Sequence, residues 1–310
     1  MSADRIRIGT RGSQLALWQA NHVKGLLEAA HPGLTAELVT ITTTGDRVQD
    51  RSLLEMGGKG AFVKEIEEAL LGDEIDIAVH SMKDVPVTLP DGLHLPVVCK
   101  REDPRDGFIA NAYEHPRDMP AGARIGTSSL RRRCQLMARF PELEVAEIRG
   151  NVDTRLRKLD EGQYHAIVLA AAGLRRLGWA ERITTLLDPA DSLPAMGQGT
   201  IGIEARAGDT ATEERMRAIE DPDTAVRTRA EWALNRRMQG GCEVPMGGYA
   251  ELEGDRLRLR GLVGEPDGSR LIEDEVNGPA AEAEALGEEL ARRLLAAGAE
   301  AILERMRGRV

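Results

Sequence analysis

Between residues 124 and 177 one pattern recurs three times: a short apolar strand, a turn, and a helix that carries arginine. Arg124-Ile125-Gly126 leads into Thr127-Ser128-Ser129 and a helix through Phe140. Residues 145–148 lead into Gly150-Asn151 and a helix through Leu159, and 166–169 run into a helix over 170–177. Strand and helix alternating at this spacing imply a mostly parallel sheet with helices on its faces. Few other arrangements accept such a chain.

The first hundred residues follow the same grammar. A strand at 6–8 precedes a helix over 14–30, where Leu15, Leu17, Trp18, Val23, Leu26 and Leu27 recur at helical spacing. A strand at 38–41, a helix over 61–71 and a buried strand at 75–79 complete this unit. The proline-rich stretch 86–104 separates the two units as a crossover or hinge, and 200–205 reads as one more apolar strand. From about residue 221 the grammar changes to a helix through 238, three strands between 249 and 276, and a long Ala/Glu/Leu helix to 306. That is a separate α+β domain, and 310 residues suffice for two or three cores.

The junctions in the second unit carry chemistry as well as topology. Hydroxyls and free backbone N–H groups at a helix start attract anions, helped by the macrodipole. Arg131 and Arg132 stand in the first turn after Ser129, and Arg155 stands about one turn after Asn151, with Arg149 just before Gly150. Arg175 and Arg176 follow the third strand. Guanidinium groups bind carboxylates through two parallel hydrogen bonds, so a cluster of this kind suits a ligand with several carboxylates. Arg133 and Arg157 read as solvent-facing neighbours. A net charge of −10 argues against a nucleic-acid partner, and a basic pocket inside an acidic chain points to a small anion.

Other segments stand out singly. His80-Ser81-Met82-Lys83-Asp84-Val85-Pro86 follows a buried strand, where α/β enzymes place catalytic groups. Asp84 there can steady a developing cation or shuttle a proton, Lys83 can pair with an anion, and His80 reads as a packed residue. Gly240-Gly241-Cys242 sets a thiol on a tight loop, whereas Cys99 and Cys134 fit buried apolar positions. Three widely spaced cysteines give neither a disulfide framework nor a metal motif, so a reducing cytoplasm is expected. No apolar run reaches membrane-spanning length, and the first residues lack a secretory pattern. The glycine-rich 56–60 segment lacks the full phosphate-loop pattern.

Taken in order, these strings resemble the hydroxymethylbilane synthase (porphobilinogen deaminase) family over nearly the whole chain. They are Thr10-Arg11-Gly12-Ser13 with Leu15-Ala16-Leu17-Trp18-Gln19, Gly57-Gly58-Lys59-Gly60-Ala61-Phe62, and Ala78 through Pro86. Arg101-Glu102-Asp103-Pro104-Arg105-Asp106, Gly126 through Arg132, Arg149-Gly150-Asn151-Val152 and Gly240-Gly241-Cys242 continue the series. Glu55, where a lysine can occur, and Glu243, Met246 and Gly248 depart from the family pattern.

The resemblance implies an α/β fold: two domains like type II periplasmic binding proteins around a cleft, plus a smaller C-terminal α+β domain. Domain 1 would take residues 1–99 and 200–217, domain 2 residues 105–193, and domain 3 residues 222–310. It implies a dipyrromethane cofactor bound through Cys242 by a thioether, and porphobilinogen as the substrate. Asp84 would be catalytic. Ser81, Lys83, Asp84, Thr127, Ser128, Ser129, Arg131, Arg132, Arg155 and Arg176 would hold the cofactor. Arg11, Ser13, Gln19, Arg149, Gly150 and Asn151 would engage the substrate, and Lys59 and Phe62 would belong to a loop over the cleft. It further implies a cytoplasmic monomer with no metal, no nucleic acid, no membrane and no obligate protein partner. Two other readings remain open: a non-catalytic anion-binding protein on the same fold, and a thiol-dependent transferase using Cys242 as nucleophile.

Overall fold

The structure, a computed structural model, describes residues 4–47, 62–241 and 244–308. In chain order its elements begin with β1 (Asp4–Thr10), α1 (Gln14–Ala30), β2 (Leu34–Thr40), α2 (Thr44–Arg47), α3 (Lys64–Leu71), β3 (Ile77–Ser81) and β4 (Leu93–Val98). There follow β5 (Asp106–Ala110), β6 (Arg124–Gly126), α4 (Leu130–Arg139), β7 (Glu144–Ala146), α5 (Val152–Asp160), β8 (Ala166–Ala170), α6 (Ala171–Arg176) and β9 (Thr185–Leu186). The remainder comprises β10 (Ile201–Arg206), α7 (Thr210–Arg217), α8 (Pro222–Met238), β11 (Met246–Glu253), β12 (Arg256–Gly264), β13 (Leu271–Pro279), α9 (Ala283–Leu294) and α10 (Glu300–Arg307).

These elements divide into two compact units, residues 1–102 with 200–225, and 103–199 with 226–310. The first holds a sheet ordered β2-β1-β3-β10-β4, in which β1 runs parallel to β2 and β3, and β10 runs antiparallel to β3 and β4. The second holds a sheet ordered β7-β6-β8-β5-β9, with β6 parallel to its neighbours and β5 antiparallel to β8 and β9. One topology therefore occurs twice: three parallel strands, an antiparallel strand beside the third, and an edge strand. This is the type II periplasmic-binding-protein-like α/β architecture, joined in the second unit by the smaller antiparallel sheet β11-β12-β13.

Burial explains the layers. Strand residues alternate between faces. In the first sheet Ile77, Val79, Ile201 and Ile203 pack with Val23 and Leu27 of α1, while Ala78 packs with Ile66 and Leu70 of α3. In the second unit β8 likewise splits, with Val168 on one face and Ile167 and Leu169 on the other. The small sheet buries Leu257, Leu259 and Val263 against α8 and α9.

Three segments differ from the sequence reading. The proline-rich stretch holds β4, which among the described residues pairs only with β10; as an edge strand it tolerates Pro96. β5 enters its sheet through Asp106, a charged start that masks the strand in the sequence. The final helix breaks at Gly298, whose φ of +104° separates α9 from α10. Only glycine adopts that conformation readily.

Candidate functional site

The first unit gathers a pocket at the carboxyl end of β3. Thr10, buried at the end of β1, donates its hydroxyl to Ala16 O at 3.2 Å. Ser13 then caps α1 by accepting the Ala16 N–H at 3.3 Å. The buried face of this helix carries Gln19 with Ala20, Val23 and Leu27. Gln19 thereby meets β3, and its side-chain amide donates to Ser81 Oγ at 2.8 Å. Beyond Ser81 the chain makes one 3₁₀ turn over Met82–Asp84, fixed by Met82 N–H donating to Thr200 O at 3.0 Å.

Asp84, exposed on that turn, lines the pocket with Arg11, Ser13, Gln19, His80 and Ser81, while Leu15, Ala16, Phe62, Val63 and Val79 supply apolar wall. Arg11 is already oriented. Its guanidinium bonds both oxygens of Asp46 and lies 4.2 Å from the centre of the Phe62 ring. Burial works to raise the Asp46 carboxyl, but hydrogen bonds from Arg11 and Thr43 outweigh it and hold the group below its ordinary range.

In the second unit the arginine-bearing junctions are built differently from one another. Ser129 caps α4, accepting the Arg132 N–H at 3.4 Å, and Thr127 Oγ1 accepts the Ser129 N–H at 3.2 Å. Arg131 and Arg132 then turn inward and are buried. Both grip Asp106, a carboxylate with no solvent exposure. Arg131 donates to it at 2.8 and 3.2 Å, and Arg132 at 3.0 and 2.8 Å. Ser192 at 2.8 Å and Gln198 at 2.9 Å complete the shell. Burial pushes the Asp106 carboxyl up, yet the two guanidiniums hold it well below the usual carboxylate range.

Among the described residues the buried Nε of Arg131 has no hydrogen-bond partner. A donor set in this state fits a carboxylate-bearing group.

At the next junction Gly150 takes a φ of +110° to aim Asn151 into the start of α5. A Cβ there would come within 2.7 Å of the Thr154 methyl, so both backbone and space require glycine. Arg155 Nε donates back to Gly150 O at 2.7 Å, Lys158 donates to Arg149 O at 3.1 Å, and Arg149 pairs with Glu147 at 2.8 Å. The third junction places Arg176 in the last turn of a six-residue helix, where it is buried and donates to Gly199 O at 2.7 Å.

The residues singled out by sequence thus fall into local groups. Arg11, Ser13, Gln19, Phe62, Ser81 and Asp84 share one pocket, with half-buried Lys83 on the turn beside it. Thr127, exposed Ser128, Ser129, Arg131 and Arg132 share the α4 start; Arg149, Gly150, Asn151 and Arg155 share the α5 start. Cys242 and Lys59 lie outside the described residues. Arg157 is exposed and pairs with Glu161. Arg133 is not solvent-facing: it is half-buried and donates to Val145 O at 3.1 Å and Pro266 O at 3.3 Å. Cys99 and Cys134 are buried, and burial pushes the Cys134 thiol up to about 12.

Asp106 escaped the sequence reading, although it stood in a quoted string. The available signal was an acid opening the apolar run Gly107-Phe108-Ile109-Ala110. Glu204 escaped for the same reason inside Ile201–Arg206; it accepts from or donates to His80 Nε2 at 2.9 Å, both side chains being buried.

A family model described as porphobilinogen deaminase, dipyromethane cofactor binding domain, matches residues 6–214, and one described as porphobilinogen deaminase, C-terminal domain, matches residues 225–296. Similar solved structures include a putative methionine-binding lipoprotein from Bacillus subtilis, 12% identical over 73% of this chain and 95% of that one, with a TM-score of 0.42. Immunogenic lipoprotein A from Vibrio vulnificus is 12% identical over 69% and 94%, with a TM-score of 0.44. The BvgS VFT2 domain from Bordetella pertussis is 16% identical over 69% and 86%, with a TM-score of 0.39. Among the described residues no helix is long and apolar enough to cross a membrane.

Proposed function

The chain belongs to the porphobilinogen deaminase family, and on that premise we propose that it acts as a hydroxymethylbilane synthase. It joins four porphobilinogen molecules head to tail on a dipyrromethane carried by Cys242, releases ammonia at each addition, and frees the linear tetrapyrrole by hydrolysis. The observation that carries this reading is the pocket in which Asp84 stands among Arg11, Ser13, Gln19 and Ser81.

The chemistry assigned to each residue follows from its surroundings. When bound, the dipyrromethane supplies the free pyrrole α-carbon that receives the first incoming ring. Asp84 accepts hydrogen bonds from pyrrole N–H groups and stabilises the positive charge that develops on the incoming ring as ammonia leaves. The apolar wall of Leu15, Phe62, Val63 and Val79 offers a surface against which a pyrrole ring packs beside Asp84. Arg11, held by Asp46 and Phe62, meets a substrate carboxylate with little side-chain entropy left to lose. Ser13, Gln19, Arg149, Gly150 and Asn151 orient the same substrate.

Ser81, Lys83, Thr127, Ser128, Ser129, Arg131, Arg132, Arg155 and Arg176 hold the acetate and propionate groups of the dipyrromethane. The buried Nε of Arg131, which has no hydrogen-bond partner among the described residues, supports this assignment for Arg131.

Intact-protein mass spectrometry of wild-type and Cys242→Ser protein tests the reading. The wild type is expected to carry a dipyrromethane-sized adduct and to keep a pyrrole colour with acidic Ehrlich's reagent after denaturation. The serine variant is expected to fold without the adduct, since a hydroxyl is far less available as a nucleophile than a thiolate near neutral pH. An adduct on the serine variant, or a reversibly bound anion with no adduct on the wild type, overturns it.

A further inference from the structure

On the α3 side of the first sheet, three ionisable side chains from three elements are buried together. His80 of β3 lies across from Gly202, and Glu204 of β10 lies across from Ala78, so the two are diagonal neighbours on one face. They meet at 2.9 Å through His80 Nε2 and Glu204 Oε2, while Glu204 Oε1 has no hydrogen-bond partner among the described residues. Glu67 is buried on the face of α3 that also presents Ile66 and Leu70. Its charge is felt by both Glu204 and His80. His80 also lines the pocket that holds Asp84.

Two carboxyls and one imidazole withdrawn from water cannot all hold charge cheaply. Burial first, and then the Glu204 charge, push the Glu67 carboxyl up to about 7, with His80 working in the opposite direction and Glu68 adding to the rise. The other charged groups lining the pocket are Asp84 and the Asp46-paired Arg11. Glu67 is thus the member of this cluster whose carboxyl is pushed into the neutral range.

The reaction proposed above liberates one such proton at every addition. The aminomethyl group enters protonated, its C–N bond breaks, and neutral ammonia leaves with the electron pair. A C–C bond forms to the free α-carbon of the receiving ring. The C–H bond at that carbon then breaks, its electron pair returns to the ring, and the proton needs an acceptor. An acceptor whose pKa lies near the working pH is the most effective.

We propose that Glu67, His80 and Glu204 form the proton acceptor behind Asp84, with Glu204 orienting His80 and Glu67 storing the proton. This rests on the preceding reading of the Asp84 pocket as the reaction site. His80 lines the same pocket as Asp84 and gives the cluster its access to the site.

The test uses full-length, cofactor-loaded protein, with loading checked by mass. Porphobilinogen consumption by the wild type should rise through an acidic limb centred near neutral pH, as Glu67 loses its proton. Glu67→Gln should abolish that limb and lower kcat at least about tenfold, with KM little changed. Glu204→Gln removes the charge that raises Glu67 and should move the limb to lower pH.

Denaturation midpoints supply a readout independent of activity. A carboxyl whose folded pKa is raised binds its proton more tightly in the native state. Stability is therefore lost as pH rises from the ordinary 4.5 to about 7, and Glu67→Gln should remove that fall. A glutamine variant with the wild-type limb, or with the wild-type loss of stability over that window, overturns the inference. A wild type that neither carries dipyrromethane nor consumes porphobilinogen would instead refute the function on which it rests.

Discussion

Asp106→Asn should cost the second unit more stability than almost any other single polar change. The carboxylate has no solvent exposure and accepts six hydrogen bonds, four from Arg131 and Arg132 and one each from Ser192 and Gln198. Asparagine keeps the shape but turns one oxygen into a donor facing donors, and it removes the negative charge that both buried guanidiniums pair with. Breaking a buried ion pair from one side costs about 3–5 kcal/mol. At ~1.4 kcal/mol per factor of ten, roughly 4 kcal/mol corresponds to about a thousandfold change in an opening equilibrium.

Hydrogen exchange read by mass spectrometry is the suitable assay, because it reports on each unit separately. Amides of α4, β5 and β8 should exchange about a thousandfold faster at neutral pH, while β1, β2 and β3 keep their protection. The pH dependence has a definite sign. Asp106 titrates in the folded protein far below its ordinary 3.8, so its contribution is present above that value and is lost as pH falls. The gap between wild type and variant should narrow below about pH 4. A change smaller than about fivefold at neutral pH would refute the argument that Asp106 holds this network together.

Two further outcomes are expected. Asp84→Asn should lower the single-turnover rate of loaded protein about a hundredfold or more, with porphobilinogen binding little affected, and Asp84→Glu should retain more activity than the amide. Arg133→Leu should lose about 1–3 kcal/mol in denaturant titrations, because two carbonyl partners are left behind, yet assemble dipyrromethane normally by mass; Arg131→Leu and Arg132→Leu should fail in both measurements.

What the sequence disclosed about this fold depended on how local the governing interaction was. The helix over 14–30 was readable to the residue because its periodicity and its Ser13 cap are both contained in a few turns. The strand–turn–helix junctions at Ser129 and Asn151 were readable for the same reason. Strand order was not. β10 lies between β3 and β4 although about a hundred residues separate it from either, and no periodicity records such a partner. β4 carried a proline and β5 opened on an aspartate, so each broke the apolar pattern by which strands are recognised.

Those local violations are where function concentrates. Asp106 ahead of Gly107-Phe108-Ile109, Glu204 within an apolar strand, and Glu67 on the buried face of α3 each make poor sense in their own segments. Each gains its sense from a residue of another element: Asp106 from the α4 arginines, and Glu67 and Glu204 from His80. The same logic revises how the arginines are read. A guanidinium offers five donors, and at the start of α4 Asp106 takes two from each arginine before any ligand arrives. An arginine next to a helix start is therefore not yet a free anion site. It becomes one through a donor its internal partner leaves unused, which for Arg131 is the buried Nε that meets no acceptor among the described residues.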